Sequence, residues 1–222
     1  MRLSMLRAGT RPSPLAIKQV DELKKIFPWV NFEMVVISTI GDKDKITPLA
    51  KIEGGDFFTK EIDEALLNGK IDIALHSSKD LPDKLNDALK VVLETKSISP
   101  FDVLVSRGKL KLSELPRASR VGTSSQRRKD QLRALRQDLV LVDVRGNIGE
   151  RLGLIDARKI DALVVAQAAL IRLELEHIIS EVFNEGNFIA HPKQGSLAIV
   201  TREDKWQEVK SILSAQAPVT GN

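Results

Sequence analysis

Three segments of the chain place arginine next to hydroxyl or amide side chains, and each follows a run of strand length. They are TRPSPL at 10–15, TSSQRR at 123–128 and RGNIGER at 145–151. Backbone amides at a helix start and a nearby guanidinium make an anion site, and guanidinium binds carboxylates or phosphates bidentately. Because the helix dipole disfavours cations at an N-terminus, the three segments together predict a ligand with several such groups. For any one arginine, a solvated surface position is the alternative.

Two of these segments also carry signals for the start of a helix. Ser13 is expected to be an N-cap with Pro14 in the first helical position. Asn147 and Glu150 have the spacing of a capping box. These signals predict that the arginines lie at the junctions between strands and helices.

A fourth segment, HSSKDLP at 76–82, adds an aspartate, Asp80, to this company of cationic groups. A carboxylate among positive charges stays ionised and can stabilise a cation or exchange a proton with an amine. The sequence equally allows a structural turn, since Asp before Leu-Pro is a common local cap. His76 is interpreted as a packing residue, and the spacing of His177 and His191 does not indicate a metal site, so no metal is expected.

The elements that must position these residues alternate between strand and helix, which predicts an α/β fold with mainly parallel sheets covered by helices on both faces. Such sheets bind ligands beyond the carboxyl ends of their strands. We find no internal repeat in the sequence. Apolar runs predict strands, and apolar residues at three-and-four spacing predict helices. The predicted strands are 3–9, 32–39, 71–75, 89–93, 102–106, 119–122, 140–144, 161–166 and 196–200, and the predicted helices include 14–26, 57–68, 125–136 and 203–214.

Turn-forming residues at Pro100 and at 186–195 interrupt these patterns and predict two crossings between lobes. Lobe one is then 1–97 plus 195–222 and lobe two is 98–194, with a cleft between them and no third domain. The stretch 51–60, with its paired glycines at 54 and 55, is interpreted as a flexible turn before a helix in preference to a ligand contact.

Composition excludes several classes of function. The net charge is +4, aromatic residues make up 4 % and tyrosine is absent, which argues against a nucleic-acid partner. No apolar run is long enough for a membrane span and no signal peptide is evident, so a cytoplasmic location is expected. The chain has no cysteine, which excludes disulfides and thiolate ligands within it. Nucleotide-binding and zinc-protease motifs are absent.

Six segments, in the same order and spacing, resemble the motifs of the hydroxymethylbilane synthase (porphobilinogen deaminase) family. They are RAGTRPSPLA, TPLAKIEGGDFFTKEID, DIALHSSKDLP, GTSSQRRKDQL, VRGNIGERL and KQGSLAIV, and the resemblance runs from Arg7 to about Arg202. It implies two lobes like those of periplasmic solute-binding proteins. It also implies a transferase of porphyrin and heme biosynthesis, which joins four porphobilinogen molecules head to tail, with loss of ammonia, on a dipyrromethane primer.

The resemblance also implies roles for individual residues. Asp80 falls on the catalytic aspartate, which promotes loss of the amino group and stabilises positive charge on pyrrole nitrogens. Other positions fall on residues that bind the acetate and propionate groups of the primer and the growing polypyrrole chain, or that contact the bound chain. These are Arg11, Ser13, Lys79, Thr123, Ser125, Arg127, Arg128, Arg145, Asn147, Arg151 and Arg172.

The chain departs from the family pattern in its primer attachment. The family attaches the primer by a thioether to a cysteine in a third domain, so we expect this chain to hold dipyrromethane non-covalently, as a monomer. Three explanations stay open: a natural two-domain enzyme, a shortened form of a longer enzyme, or a catalytically inactive protein that binds tetrapyrrole precursors or another anionic solute. Residues 53–56 stand where the family has GGKG, and Phe101 stands where arginine is common before Asp102.

Overall fold

A computed structural model describes residues 4–44, 57–184, 186 and 188–215. The paired glycines at 54 and 55 lie outside the described residues. The contacts divide the described chain into two compact units. Unit 1 comprises residues 4–43, 57–96 and 196–215, and unit 2 comprises residue 44, 97–184, 186 and 188–195.

The described residues form ten strands and seven α-helices. The strands are β1 Ser4–Thr10, β2 Val30–Val36, β3 Ile73–Ser77, β4 Leu89–Glu94, β5 Asp102–Ser106, β6 Arg120–Gly122, β7 Val140–Val142, β8 Ala162–Ala166, β9 Glu181–Val182 and β10 Leu197–Arg202. The helices are α1 Pro14–Ile26, α2 Ile40–Lys43, α3 Lys60–Leu67, α4 Gln126–Leu135, α5 Ile148–Asp156, α6 Gln167–Arg172 and α7 Trp206–Ser214.

Unit 1 is built on a five-stranded sheet in the order β2-β1-β3-β10-β4. Strands β2, β1 and β3 run parallel, and β10 runs antiparallel to β3 and β4. One face packs against α1 and α7 through a cluster that includes Val20, Leu23 and Val209, and α3 joins a second cluster through Ile62 and Leu66. Helices therefore cover both faces of the sheet.

Unit 2 repeats this plan with a sheet in the order β7-β6-β8-β5-β9. Strands β7, β6 and β8 run parallel, and β5 runs antiparallel to β8 and β9. Every residue of β5 and of β8 is buried, which explains their continuous apolar runs. The α/β class is confirmed, although each sheet has two parallel and two antiparallel pairings. The expected parallel pairing holds for three strands in each sheet, because β10 and β5 enter antiparallel after the chain passes from one unit to the other.

The two units repeat one structural plan, although no internal repeat is visible in the sequence. In both units an arginine on the strand at the second position of the sheet pairs with an aspartate just before the next strand. The Arg7 backbone N–H donates to Asp72 Oδ2 at 2.7 Å, and the Arg120 backbone N–H donates to Asp161 Oδ2 at 2.8 Å. Sequence similarity is local to segments such as KID at 70–72 and 159–161, too short to detect as a repeat.

The capping predictions are confirmed in both units. Ser13 caps α1 by accepting from the Ala16 amide at 3.2 Å, with Pro14 at the start of the helix. Asn147 and Glu150 form the capping box of α5. The helix at 14–26 has the predicted bounds, whereas α2, α6 and β9 were not predicted. Across the described ranges, no helix combines the length and apolar character needed to cross a membrane.

Candidate functional site

Each sheet has one edge at which its three parallel strands end, and we call it the carboxyl edge of that unit. In unit 1 these strands are β2, β1 and β3, and in unit 2 they are β7, β6 and β8. Most of the residues predicted from the sequence follow one of these strand ends directly. The two edges are described separately.

At the carboxyl edge of unit 1, Arg11 follows β1 and is held by two neighbours. Its guanidinium pairs with the carboxylate of Asp42 and lies 4.4 Å from the centre of the Phe58 ring. Asp42 also accepts from the backbone N–H and the hydroxyl of Thr39 at the start of α2. Burial raises the pKa of Asp42, but hydrogen bonds from Arg11 and Thr39 outweigh it and lower the pKa below its ordinary value. Arg11 is therefore oriented by groups of its own unit.

Lys79 and Asp80 follow β3 in a 3-10 helix, Ser78–Asp80, at the same edge as Arg11 and Ser13. The carboxyl group of Asp80 is exposed, and the described part of the chain offers it no hydrogen bond or ion pair. An acid that is exposed and unpaired at a sheet edge is available to a ligand.

Two buried polar groups precede Asp80. His76 is buried, as the packing interpretation requires, and its Nε2 has no hydrogen-bond partner among the described residues. Burial, followed by the charge of Arg11, lowers the pKa of His76 to about 4, so the ring is neutral near pH 7. The Ser78 hydroxyl is also buried without a partner in the described chain.

At the carboxyl edge of unit 2, Arg127 and Arg128 in the first turn of α4 converge on Asp102. Arg127 Nη2 donates to Asp102 Oδ2 at 2.6 Å, and Arg128 Nη2 donates to Oδ1 at 2.6 Å. The Asp102 side chain is fully buried, while the side chains of Arg127 and Arg128 are 29 % and 10 % exposed. Burial raises the pKa of Asp102, but Arg128 and Arg127 outweigh it and hold the pKa below its ordinary value. The structure thus brings these two predicted arginines together.

The hydroxyl residues after β6 differ in their partners. The buried Thr123 hydroxyl accepts from the Ser125 amide at 3.3 Å. Ser125 is the N-cap of α4, but its side chain makes no capping hydrogen bond. The first turn of α4 contains no acidic residue. Its N-terminus therefore has a hydroxyl and amides that can accept an anion.

The other three predicted arginines of unit 2 each donate to a backbone carbonyl. Arg145 Nη2 donates to the Asp44 carbonyl at 2.8 Å, and Arg151 Nε donates to the Gly146 carbonyl at 2.7 Å. Asn147 is used in the capping box, where its Oδ1 accepts from the Glu150 amide at 3.0 Å. These groups all follow β7.

Arg172 is placed differently from the other predicted arginines. It is the last residue of α6, one short helix away from the end of β8, and its Nη2 donates to the Gly195 carbonyl at 2.8 Å. The carbonyl belongs to the segment by which the chain leaves unit 2.

Sequence reasoning missed Asp102 and Gln194 as members of this edge. Asp102 pairs in register with Ala166 at the end of β8, and Gln194 Nε2 donates to Asp102 Oδ1 at 2.9 Å. The available signal was a single acid at the start of a buried apolar strand, since such an acid requires a partner. Among the described residues, no cluster of histidine and carboxylate side chains is placed to hold a metal ion.

Comparison with solved structures identifies the fold. The chain is similar to ytmK of Bacillus subtilis, an extracellular-binding protein of the amino-acid ABC transporter type, with a TM-score of 0.55 and 11 % identity over 96 % of this chain and 90 % of that one. It is also similar to a variant of the OxyR2 regulatory domain from Vibrio vulnificus, with a TM-score of 0.51 and 15 % identity over 95 % and 96 % of the two chains. The predicted likeness to two-lobed solute-binding proteins is confirmed at the level of the fold.

Comparison of sequences identifies the family. Residues 6–210 match the family described as "Porphobilinogen deaminase, dipyromethane cofactor binding domain". Porphobilinogen deaminase of Geotalea uraniireducens is 40 % identical over 96 % of this chain and 68 % of its own length. That of Deinococcus radiodurans is 43 % identical over 88 % and 66 %, respectively. The chain spans about two thirds of the length of these relatives, and it belongs to the porphobilinogen deaminase family of transferases in porphyrin and heme biosynthesis, as its motifs predicted.

Proposed function

We propose that this chain acts as a hydroxymethylbilane synthase, which joins four porphobilinogen molecules, with loss of ammonia, on a dipyrromethane primer. The observation that carries the proposal is the state of Asp80. At the two edges Asp42 and Asp102 are paired with arginines and Asp143 is paired with Lys129, whereas Asp80 is exposed and makes no such bond within the described chain. Asp80 is therefore the acid with capacity left for a substrate.

The donors at the edge of unit 2 fit a primer that carries carboxylates. Dipyrromethane has two pyrrole rings and four carboxylates, and it supplies the ring to which the first porphobilinogen is joined. Arg127 is partly exposed, and two of its five N–H groups donate to the Ile189 carbonyl and to Asp102. Its remaining N–H groups, the Ser125 hydroxyl and the first amides of α4 make a donor set suited to carboxylates.

We infer that this chain retains the primer without a cysteine thioether of its own, because the 222 residues contain no cysteine. We assign the carboxylates of dipyrromethane and of the growing chain to Arg11, Arg127, Arg145, Arg151 and Arg172. Arg128, next to Arg127, contributes to the same set of donors. Several charge-assisted hydrogen bonds at ~1.5–3 kcal/mol each can add to tight binding.

Asp80 has the catalytic role in this proposal. Its carboxylate lies at the same sheet edge as Lys79, Arg11 and Ser13, which is where we place the bound porphobilinogen. It promotes the departure of the amino group as ammonia and stabilises the positive charge that develops on a pyrrole nitrogen. Arg11, oriented by Asp42, binds a carboxylate of the same substrate.

One experiment tests both parts of the proposal. The purified chain is denatured and searched for dipyrromethane by mass spectrometry and Ehrlich's reagent. Native chain with dipyrromethane supplied is then assayed for consumption of porphobilinogen and release of ammonia. We expect dipyrromethane to be found in the denatured chain, and we expect the native chain to consume porphobilinogen and release ammonia. Bound dipyrromethane without consumption of porphobilinogen would instead support a protein that binds tetrapyrrole precursors without making them.

A monomeric state and a cytoplasmic location stay predictions. Sedimentation of the purified chain, with and without dipyrromethane, checks the first, and fractionation of cells that produce the chain checks the second.

A further inference from the structure

Asp102 is a buried carboxylate whose two oxygens have separate sets of donors. Oδ2 accepts from Arg127, and Oδ1 accepts from Arg128 Nε at 3.1 Å, from Arg128 Nη2 at 2.6 Å and from Gln194 Nε2 at 2.9 Å. The carboxylate thus holds Arg128 through two nitrogens of one guanidinium, a geometry that restricts its rotation. Both arginines lie in the first turn of α4, and that turn itself contains no acidic residue.

The charges around Asp102 do not cancel. Two guanidinium groups meet one carboxylate, so the group keeps one net positive charge at the carboxyl edge. Arg127 is the more exposed of the two arginines, and it retains N–H groups that point to no described acceptor. Asp102 itself is fully buried and cannot touch a ligand. Any effect of Asp102 on ligand binding must therefore act through the arginines.

Gln194 connects the same carboxylate to the segment by which the chain leaves unit 2. The Gln194 Nε2 also donates to the Pro100 backbone carbonyl at 2.8 Å, and the Gln194 backbone carbonyl accepts from the Ser97 hydroxyl at 2.7 Å. Residues 97–100 and 194–195 are the points where the chain enters and leaves this unit. The hydrogen bonds of Asp102 therefore reach from the start of α4 to both ends of the unit.

We propose that Asp102 is a positioning residue, which fixes the guanidinium groups of Arg127 and Arg128 for a carboxylate of the bound pyrrole chain and ties them to Gln194. This inference rests on the proposed function for the identity of the ligand. The buried carboxylate orients the donors before the ligand arrives, which reduces the ordering that binding must otherwise impose.

Loss of the Asp102 charge has two opposite effects on an anionic ligand. The arginines lose their fixed orientation, which weakens the short-range hydrogen bonds. The edge also gains one net positive charge, which strengthens attraction at longer range, and salt screens that attraction. Asp102→Asn should therefore bind an anionic ligand nearly normally at low salt and poorly at high salt. A role limited to folding stability would not make the difference in affinity between the variant and the wild type depend on salt.

The test is retention of supplied dipyrromethane in equilibrium dialysis at about 0.05 M and about 0.5 M salt, well below the unfolding temperature. Asp102→Asn is compared with Asp161→Asn, since Asp161 also pairs with two arginines, Arg107 and Arg120, but lies before β8 at the opposite edge of the same sheet. We expect affinity of Asp102→Asn within about threefold of the wild type at low salt and about tenfold weaker at high salt. Asp161→Asn should follow the wild-type salt dependence.

Parallel salt curves for the wild type and both variants would overturn the inference and leave the proposed function standing. A wild-type chain that binds no dipyrromethane would overturn both. If Asp102→Asn does not fold, Gln194→Ala takes its place, because it removes one hydrogen bond to Oδ1 and leaves the charges unchanged. It should weaken dipyrromethane binding several-fold with an unchanged salt slope, and an unchanged affinity would refute the positioning role.

Discussion

The two units share one scaffold and differ in where each places an acid. Counted from Asp72 and Asp161, which precede β3 and β8, Asp80 in unit 1 stands where unit 2 has Ala169. Conversely, Leu197 pairs with Ser77 at the end of β3, where in unit 2 Asp102 pairs with Ala166 at the end of β8. Unit 1 carries its acid exposed after the strand, and unit 2 carries its acid buried in the neighbouring strand.

The two units also differ at the start of the helix that follows the second strand in the sheet order, which is α1 after β1 in unit 1 and α4 after β6 in unit 2. Arg128 is the third residue of α4, and the third residue of α1 is Ala16, which is buried. The pair of Ala16 and Leu197 in unit 1 thus occupies the place that Arg128 and Asp102 occupy in unit 2. The same backbone frame carries two buried apolar residues in one unit and an ion pair in the other, so the sheet topology alone does not determine which edge offers a free acid.

The largest expected effect tests whether the exposed acid is the functional difference between the units. Asp80→Asn should lower the rate of porphobilinogen consumption by about a thousandfold or more, because the group that stabilises the developing cation is lost. Dipyrromethane retention should change little, since the arginines remain. Asp83→Asn is the matched control, an exposed acid three residues away that should keep normal turnover. Equal loss of turnover and retention in Asp80→Asn would assign Asp80 a structural role.

A second prediction compares His76 with Val165, the residue at the same place in β8. The pKa of His76 is about 4 in the folded chain and about 6.5 when unfolded, so the unfolded state binds more protons between these values. Stability is fully present above pH 6.5 and is lost as pH falls toward 4. Urea unfolding should show a loss of about 2 kcal/mol from pH 7 to pH 5 that His76→Val removes.

His177→Gln provides the control for this prediction, because His177 is exposed. Its substitution should leave the loss between pH 7 and pH 5 unchanged. A similar loss in His76→Val and the wild type would mean that other groups cause the pH dependence. The loss of stability that comes from protonation of Asp102 occurs at lower pH than the loss from His76. Because the pKa of Asp102 is lowered in the folded chain, its contribution to stability is lost only as pH falls below about 4.

The smallest expected effect compares the N-caps of α1 and α4. Ser13 accepts a hydrogen bond from the Ala16 amide, whereas the Ser125 side chain makes no capping bond. Ser13→Ala should lower the free energy of unfolding by about 1 kcal/mol, and Ser125→Ala by only a few tenths. Urea unfolding at pH 7 measures both. Equal losses would show that Ser125 caps its helix in solution and is not held available for a ligand.

Much of the fold could be predicted from the sequence because its signals are local. The helix at 14–26 has a cap, an N-terminal proline and an apolar face, and all three lie within its own residues. The helix α6 has six residues and β9 has two, too few for a periodic pattern to be recognised. The strand assignments carried no information on partners, which is why the antiparallel positions of β5 and β10 were missed.

The candidate site was predictable in its residue types but not in its pairings. The arginines at 127 and 128 followed a predicted strand, and the motif predicted the family. Their bond to Asp102 joins residues about 25 positions apart, on elements that become neighbours only when β8 lies between β6 and β5. An acid in a buried strand is expected to have a charged partner, but the sequence does not identify which of the many arginines that partner is.

The interrupted course of unit 1 sets an order for synthesis on the ribosome. Every described strand of unit 2 lies between residues 102 and 182, so its sheet can close as soon as that stretch has emerged. Among the described strands of unit 1, β4 pairs only with β10, which begins at Leu197. The edge strand β4 must therefore wait, unpaired, while about a hundred residues are added, and the nascent chain completes the inserted unit before the unit that carries Asp80.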